Sequence, residues 1–202
     1  MTKTVGIYVF DEVECLDLAG PYEVFTTATR MQLRSPPGSA PFEVVTIAER
    51  AAPVRARAGM QVLPDHTIDT HPPLDLLIVP GGVVDAELDK PRVVAWIAKT
   101  AAASPLTASV CTGAFLLARA GLLEGHEVTT HWEDIAALRS AFPALQVREG
   151  VRWVDAGRIV TSAGITAGID MSLHLVARLA GEALAQRTAR QMDFVWTRVE
   201  HA

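Results

Sequence analysis

The stretch Leu106-Thr107-Ala108-Ser109-Val110-Cys111-Thr112-Gly113-Ala114-Phe115-Leu116-Leu117 constrains the fold more than any other. A short apolar strand runs straight into an apolar helix, with a cysteine at the junction. So sharp a turn puts its central residue in a strained backbone conformation. Ser109 and Gly113, the small residues two positions either side of Cys111, make room for it, as in a nucleophile elbow. The turn lifts the Cys111 side chain above the sheet edge, at the positive end of the next helix, where a lowered thiol pKa is expected. The alternative is that Cys111 is a small core hydrophobe, the ordinary role of a free cysteine.

The rest of the chain supplies the other strands. Val5–Phe10, Phe42–Ala48 and Leu74–Val79 are short apolar runs suited to central parallel strands, and Arg158–Ser162 is extended. Helices are expected from Ala19 to about Met31, with Pro21 in the first turn, and over Asp89–Ala103, Glu133–Ala141 and Thr166–Ala180, with a last one from Glu182 to about Val199. Met192, Phe194, Val195 and Trp196 on that last helix suit either an interface or the core. Val54–Pro64, broken by Gly59, reads as a hairpin set apart from the sheet, and residues 34–41 as a turn-rich connector. Alternating strands and helices give an α/β fold: a flavodoxin-like, mainly parallel sheet with helices on both faces. In the strand order 2-1-3-4-5, ligands bind beyond the carboxyl ends of the strands, where Asp11–Asp17, Gly81-Gly82 and Cys111-Thr112 fall.

With 202 residues, 50% of them apolar and 20% charged, the chain is expected to form one domain over residues 1–202. A net charge of −5 without long runs of one sign argues against a nucleic-acid partner or an anionic membrane surface. Met1–Ile7 leads directly into a strand with no apolar segment after a basic start, so no secretory signal is expected. No run of about 18 apolar residues is present, so no membrane span is expected. Cys15 and Cys111 lie far apart and fit a reducing cytoplasm. No cluster has metal-ligand spacing, and no metal is expected.

Around Cys111 as candidate nucleophile, donors are needed for the negative charge built on a substrate. The N–H of Thr112 points into an elbow site, and the Gly81-Gly82 turn exposes the N–H of Gly82. A plain strand-ending turn is the alternative for the glycine pair. Asp17 is the candidate acid/base, with Glu12, Glu14 and Glu23 as neighbours that spacing hardly separates from it. It is equally suited to cap a helix start. Thr112 stands where a histidine would form an ion pair with the thiolate, which weakens a protease or amidase reading. His131, beside Trp132, is the histidine placed to line a cleft, or else it is structural. Asp170 on an apolar helix face requires a partner and serves either to anchor a loop or to support the site from behind. Cys15 reads most simply as a small buried residue.

The pieces Asp17–Phe25, Val79-Pro80-Gly81-Gly82, Ser109–Ala118, Gly121-Leu122-Leu123, Thr129-Thr130-His131-Trp132 and Ser162–Asp170 stand in that order. Together they resemble the ThiJ/PfpI family within the class I glutamine amidotransferase-like superfamily. The resemblance runs from the first strand to Ala180. It implies a three-layer sandwich, a reactive Cys111 and a homodimer. Within the family, Asp-Leu-Ala-Gly-Pro with Cys-Thr-Gly-Ala is similar to isonitrile hydratase and to the amidase-like half of AraC-type regulators. No basic DNA-binding segment follows before Ala202, so the hydratase branch is the expectation. That branch implies Cys111 adding to the carbon of a small isonitrile, Asp17 moving protons, and Thr112, Gly81 and Gly82 holding adduct or water. Trp132 and His131 would border an apolar pocket, and no cofactor is implied. Asp17 would need a raised pKa. Other cysteine chemistry, on carbonyl adducts or by hydrolysis, and a thiol or ligand sensor without turnover are the competing readings.

Overall fold

A computed structural model describes residues 1–34 and 38–198. The first half of the chain forms β1 (Lys3–Tyr8), α1 (Cys15–Leu33), β2 (Phe42–Ala48), β3 (Val54–Arg55), β4 (Gln61–Val62), β5 (His66–Thr67), β6 (Leu76–Val79), α2 (Asp85–Leu88) and α3 (Pro91–Ala103). The second half forms β7 (Leu106–Val110), α4 (Gly113–Arg119), β8 (Glu127–Val128), α5 (Ile135–Ala141), β9 (Gln146–Val147), β10 (Trp153–Asp155), β11 (Ile159–Ser162), α6 (Thr166–Ala180) and α7 (Glu182–Gln191).

The central sheet has seven strands in the order β10-β11-β7-β6-β1-β2-β5. Only the β10–β11 edge is antiparallel. The expected order 2-1-3-4-5 is therefore present as β2-β1-β6-β7-β11, extended by one short strand at each edge. The inner strands β6 and β7 are buried at every position, which is why they read as continuous apolar runs rather than alternating ones. From β1 through α1 the chain moves toward one edge, and from β6 through α3 it moves toward the other. Right-handed crossovers in opposite directions put α1 and α3 on opposite faces. Accordingly α1, α6 and α7 pack on one another, and α2, α3 and α4 form a second group. Among the described residues no helix is long and apolar enough to cross a membrane.

Two helices differ from expectation. The helix α1 begins at Cys15, so Asp17 lies in its first turn and Pro21 inside it. Pro21 lacks the N–H that would bond the Asp17 carbonyl, and the packing of Val24, Phe25 and Ala28 in the core carries the helix past that gap. At the other end α7 stops at Gln191. Asp193, at φ +51°, reverses the chain, and the Phe194 N–H closes the end on the Ala189 carbonyl at 3.0 Å. Residues 194–198 then run without helix, with Val195 in solvent and Phe194 and Trp196 half-buried against the core. Val199, and positions 35–37 of the connector, lie outside the described residues. The hairpin of β3 and β4 forms its own two-stranded sheet, as expected.

Candidate active site

The elbow forms as its sequence requires. Cys111 sits at φ +57°, a conformation that few residues with a side chain adopt. A Cβ on Gly113 would stand 2.1 Å from the Val79 carbonyl oxygen, so only glycine lets α4 start this close to β6. The Cys111 N–H still reaches the Ser162 carbonyl of β11 at 3.1 Å, and the Thr130 hydroxyl donates to the Cys111 carbonyl at 2.8 Å. The backbone is thereby fastened on both sides while the sulfur opens into a cleft of about 590 Å³.

Three further strand ends converge on it. After β1, the loop lies antiparallel to the Gly81-Gly82 turn: the Glu14 N–H donates to the Gly81 carbonyl at 2.9 Å and the Val83 N–H to the Glu12 carbonyl at 3.1 Å. This zipper brings the first turn of α1, and with it Asp17, beside the elbow. Asp17 has no exposed surface. Its Oδ1 accepts the Ile165 N–H at 2.9 Å, and its Oδ2 has no hydrogen-bond partner of ordinary geometry. Burial raises the Asp17 pKa to about 6, opposed by the Ile165 N–H, by the Cys111 thiol beside it and by the Gly81 N–H. Of the neighbouring acids, Glu12 and Glu23 are exposed and Glu14 pairs with Arg57 at 3.4 Å. Asp17 alone is buried against the cysteine.

The thiol departs from expectation in direction. Burial, and then the Asp17 charge, push the Cys111 thiol well above its usual range; the Thr112 N–H, facing the sulfur, opposes them. The helix-end field is outweighed because Cys111 is only 8% exposed and shares its space with a carboxylate. Thiol and carboxylate therefore titrate as a pair. Across the neutral range the pair carries one negative charge and one proton. A nucleophilic thiolate arises when that proton moves to Asp17.

The remaining predicted residues divide. The Gly82 N–H is not free: it donates to Thr112 Oγ1 at 2.9 Å, and the Thr112 hydroxyl donates back to the Gly82 carbonyl at 2.8 Å. Gly81 lies behind the elbow, where a Cβ would meet the Thr112 N at 2.6 Å, so it is a spacer rather than a lining residue. His131 lines the cleft, with Gly164 between it and the sulfur: a Cβ there would lie 2.3 Å from His131 Cδ2 and 3.1 Å from Cys111 Sγ. Trp132 does not border the pocket; it is 74% exposed, its ring beside that of His131. The apolar wall comes instead from Val84, Leu88, Phe115 and Ala137. Asp170 is paired as expected, with Arg152 at 2.5 Å and the Thr197 N–H at 2.7 Å, but none of these partners lines the cleft. Cys15 is half-buried, its thiol directed at the Arg57 carbonyl at 3.7 Å.

Ile165 was missed. It follows β11, lines the cleft, and sits at φ +59°, where a β-branched residue is a clear outlier. That conformation aims its N–H at Asp17. Gly164 beside it is the only sequence signal, and it points to a turn rather than to a strained isoleucine. Among the described residues no group of three or more His, Cys, Asp or Glu side chains is gathered to hold a metal ion. A smaller hollow of about 370 Å³ opens by the ends of β1 and β2. Its Lys90 is already paired with Glu49 and Glu87.

With this geometry in hand, three known proteins and one family bear comparison. The DJ-1/PfpI family model matches residues 3–178. An isonitrile hydratase from Pseudomonas putida is 33% identical over 197 residues, covering 96% of this chain and 79% of that protein. The HTH-type transcriptional regulator GbdR of Pseudomonas aeruginosa is 31% identical over 98% of this chain but only 52% of its own, so the chain spans about half the length of that relative. The crystal structure of a THiJ/PfpI family protein from Pseudomonas syringae superposes with a TM-score of 0.84 at 28% identity, over 96% of this chain and 76% of that one.

Proposed function

The chain belongs to the DJ-1/PfpI family, and from that premise we propose that it is a cytoplasmic, single-domain isonitrile hydratase that converts R–N≡C and water to R–NH–CHO. The observation that carries the proposal is the buried pair of Cys111 and Asp17, in which Asp17 Oδ2 has no hydrogen-bond partner.

Asp17 takes the thiol proton, and the Cys111 sulfur forms a bond to the terminal isonitrile carbon. Asp17 returns the proton to that carbon, which leaves a neutral thioimidate, R–N=CH–S–Cys111. Water then adds to the same carbon; Asp17 accepts one proton and the nitrogen gains the other. The tetrahedral adduct collapses, the C–S bond breaks, and the N-substituted formamide leaves with the thiol restored. A carboxylate raised to about 6 is suited to both directions of transfer near neutral pH. The Thr112 N–H steadies charge near the sulfur, and the apolar wall of Val84, Leu88 and Phe115 receives the substituent.

The test is incubation of the protein with a simple alkyl isonitrile, followed by mass spectrometry of the formamide. Turnover that disappears in Cys111→Ala is expected; no turnover, or turnover that survives the substitution, overturns the proposal. The regulator relative favours a second reading, in which the same cleft binds a ligand without turning it over. Saturable binding with no product would point there. We take the chain to act as a homodimer through the shallow apolar surface of Leu18, Tyr22, Val62 and Leu63, where Tyr22 and Leu63 are exposed. Sedimentation velocity at micromolar concentration reads this directly: a dimer mass is expected, shifting to monomer in Leu63→Glu.

A further inference from the structure

The charges around the cleft are one-sided. Glu14, Asp85, Glu133 and Asp134 line it, against Arg57 and His131. Arg57 is taken up by Glu14 at 3.4 Å. His131 stands 3.5 Å from Asp134 and 3.7 Å from Glu133. Asp85 has no ion-pair partner among the described residues. Even with His131 protonated, carboxylates remain in surplus. The Cys111 sulfur lies in the same cleft; Asp17, next to it, is fully buried with one oxygen unpartnered and does not itself line the cleft. The rim also reaches the floor electrostatically, since the Asp134 charge is among those that hold the thiol up. A concave site lined by one sign of charge concentrates ligands of the opposite sign and repels its own.

We propose that the cleft selects small substrates by charge, admitting cationic and neutral ones and rejecting carboxylates and phosphates. Resting on the hydratase reading above, the favoured class is an isonitrile whose substituent is apolar next to the nitrogen and cationic or uncharged beyond it. The apolar wall holds the near part, and Asp85, Glu133 and Asp134 face the far part.

Methanethiosulfonate reagents carrying ethyltrimethylammonium or ethylsulfonate groups test this without any enzymatic activity. Each forms a mixed disulfide with Cys111 and releases methanesulfinate. The rate at Cys111 is read by peptide mass and divided by the rate of the same reagent with 2-mercaptoethanol. The cationic reagent is expected to be favoured about tenfold or more at low salt. The ratio should fall toward one at 1 M salt, where the screening length is about 3 Å. The double variant D85N/E133Q, which alters exposed positions, should lower it by about threefold. A ratio of one or below, or one that neither salt nor the double variant changes, overturns the inference. A second arm compares kcat/KM for 2-isocyanoethyl-trimethylammonium and for isocyanoacetate, with the first expected higher. A preference for isocyanoacetate would refute the charge selection and leave the hydratase reading standing. If neither isonitrile is hydrated, the hydratase reading fails, and the labelling ratio still decides the charge inference.

Discussion

Two aspartates with no exposed surface, Asp17 on α1 and Asp170 on α6, sit on helices packed against each other, yet their surroundings differ. At Asp170 both oxygens are satisfied: Oδ2 by the Arg152 guanidinium at 2.5 Å and Oδ1 by the Thr197 N–H at 2.7 Å. At Asp17 the Ile165 N–H serves Oδ1, Oδ2 has no partner, and the carboxylate lies beside the Cys111 thiol. Burial raises the pKa of both and outweighs the bonds that oppose it, those of the Thr197 N–H and Arg152 at Asp170 and of the Ile165 N–H and the Cys111 thiol at Asp17, where the value reaches about 6. A buried carboxylate whose bonds are all made fixes backbone, here the segment that carries Trp196 and Thr197 across α6. One left half-satisfied weakens the fold at neutral pH and keeps a proton exchangeable. The contrast separates an anchor from a working acid/base.

The sharpest way to break that contrast is to remove the charge from each in turn. Asp17→Asn should lower kcat/KM for an isonitrile by about 10²–10⁴-fold. Asp170→Asn should leave it within a few-fold when measured well below the melting temperature. Equal losses would mean that the two carboxylates do not differ in kind. Wild-type activity should also fall as pH drops through about 6, because a protonated Asp17 can no longer take the thiol proton.

Stability should move the opposite way. The folded pKa of Asp17 lies above its unfolded value of 3.8, so the native state binds the proton more tightly. Its contribution is favourable below pH 4 and is lost as pH rises from about 4 to 6. By pH 7 the ionised, buried group costs up to about 3 kcal/mol. Urea denaturation should therefore find Asp17→Asn more stable than wild type at pH 7, with the gain vanishing at pH 4. Asp170→Asn should instead lose about 2 kcal/mol at pH 7, since it weakens bonds to a guanidinium and an N–H. A destabilised Asp17→Asn at pH 7 would show that the carboxylate is better satisfied than its unpartnered Oδ2 implies.

Legibility in the sequence follows the same divide. The strands and the elbow could be read because they follow from apolar runs and from small residues at fixed spacing, whereas the strand order comes only with the assumption of a flavodoxin-like fold and no local pattern encodes it. Thr166–Ala180 and Leu106–Val110 match expectation at both ends for that reason. Asp17 could be placed at a strand end, but its burial depends on the antiparallel contact between the Glu12–Glu14 loop and the Gly81-Gly82 turn, which no local pattern encodes. Ile165 could not be found at all, because its positive φ opposes the preference of a β-branched residue and is imposed by tertiary packing. The end of α7 was overrun because Met192, Phe194 and Trp196 look helical in spacing, whereas they pack on the core from an irregular segment.

The smallest effect tests the other side of the site, where the bonding is complete. The Thr112 hydroxyl and the Gly82 peptide exchange two hydrogen bonds, at 2.8 and 2.9 Å, and so fasten the turn after β7 to the turn after β6. The Gly82 N–H is thereby spent on structure, and the N–H of Thr112 is left as the donor that faces the sulfur. Thr112→Val keeps the shape and removes the hydroxyl, which strands a half-buried N–H and carbonyl at a cost of about 1–2 kcal/mol. Thr112→Ser restores both bonds and should recover most of that stability. If the clamp only positions the elbow, Thr112→Val should lower kcat/KM by no more than about tenfold, and Thr112→Ser should return it in step with the melting temperature. A loss in Thr112→Val comparable to that of Asp17→Asn, with stability unchanged, would instead place the hydroxyl on the reacting atoms. The fully bonded turn would then belong with Asp17 rather than with Asp170.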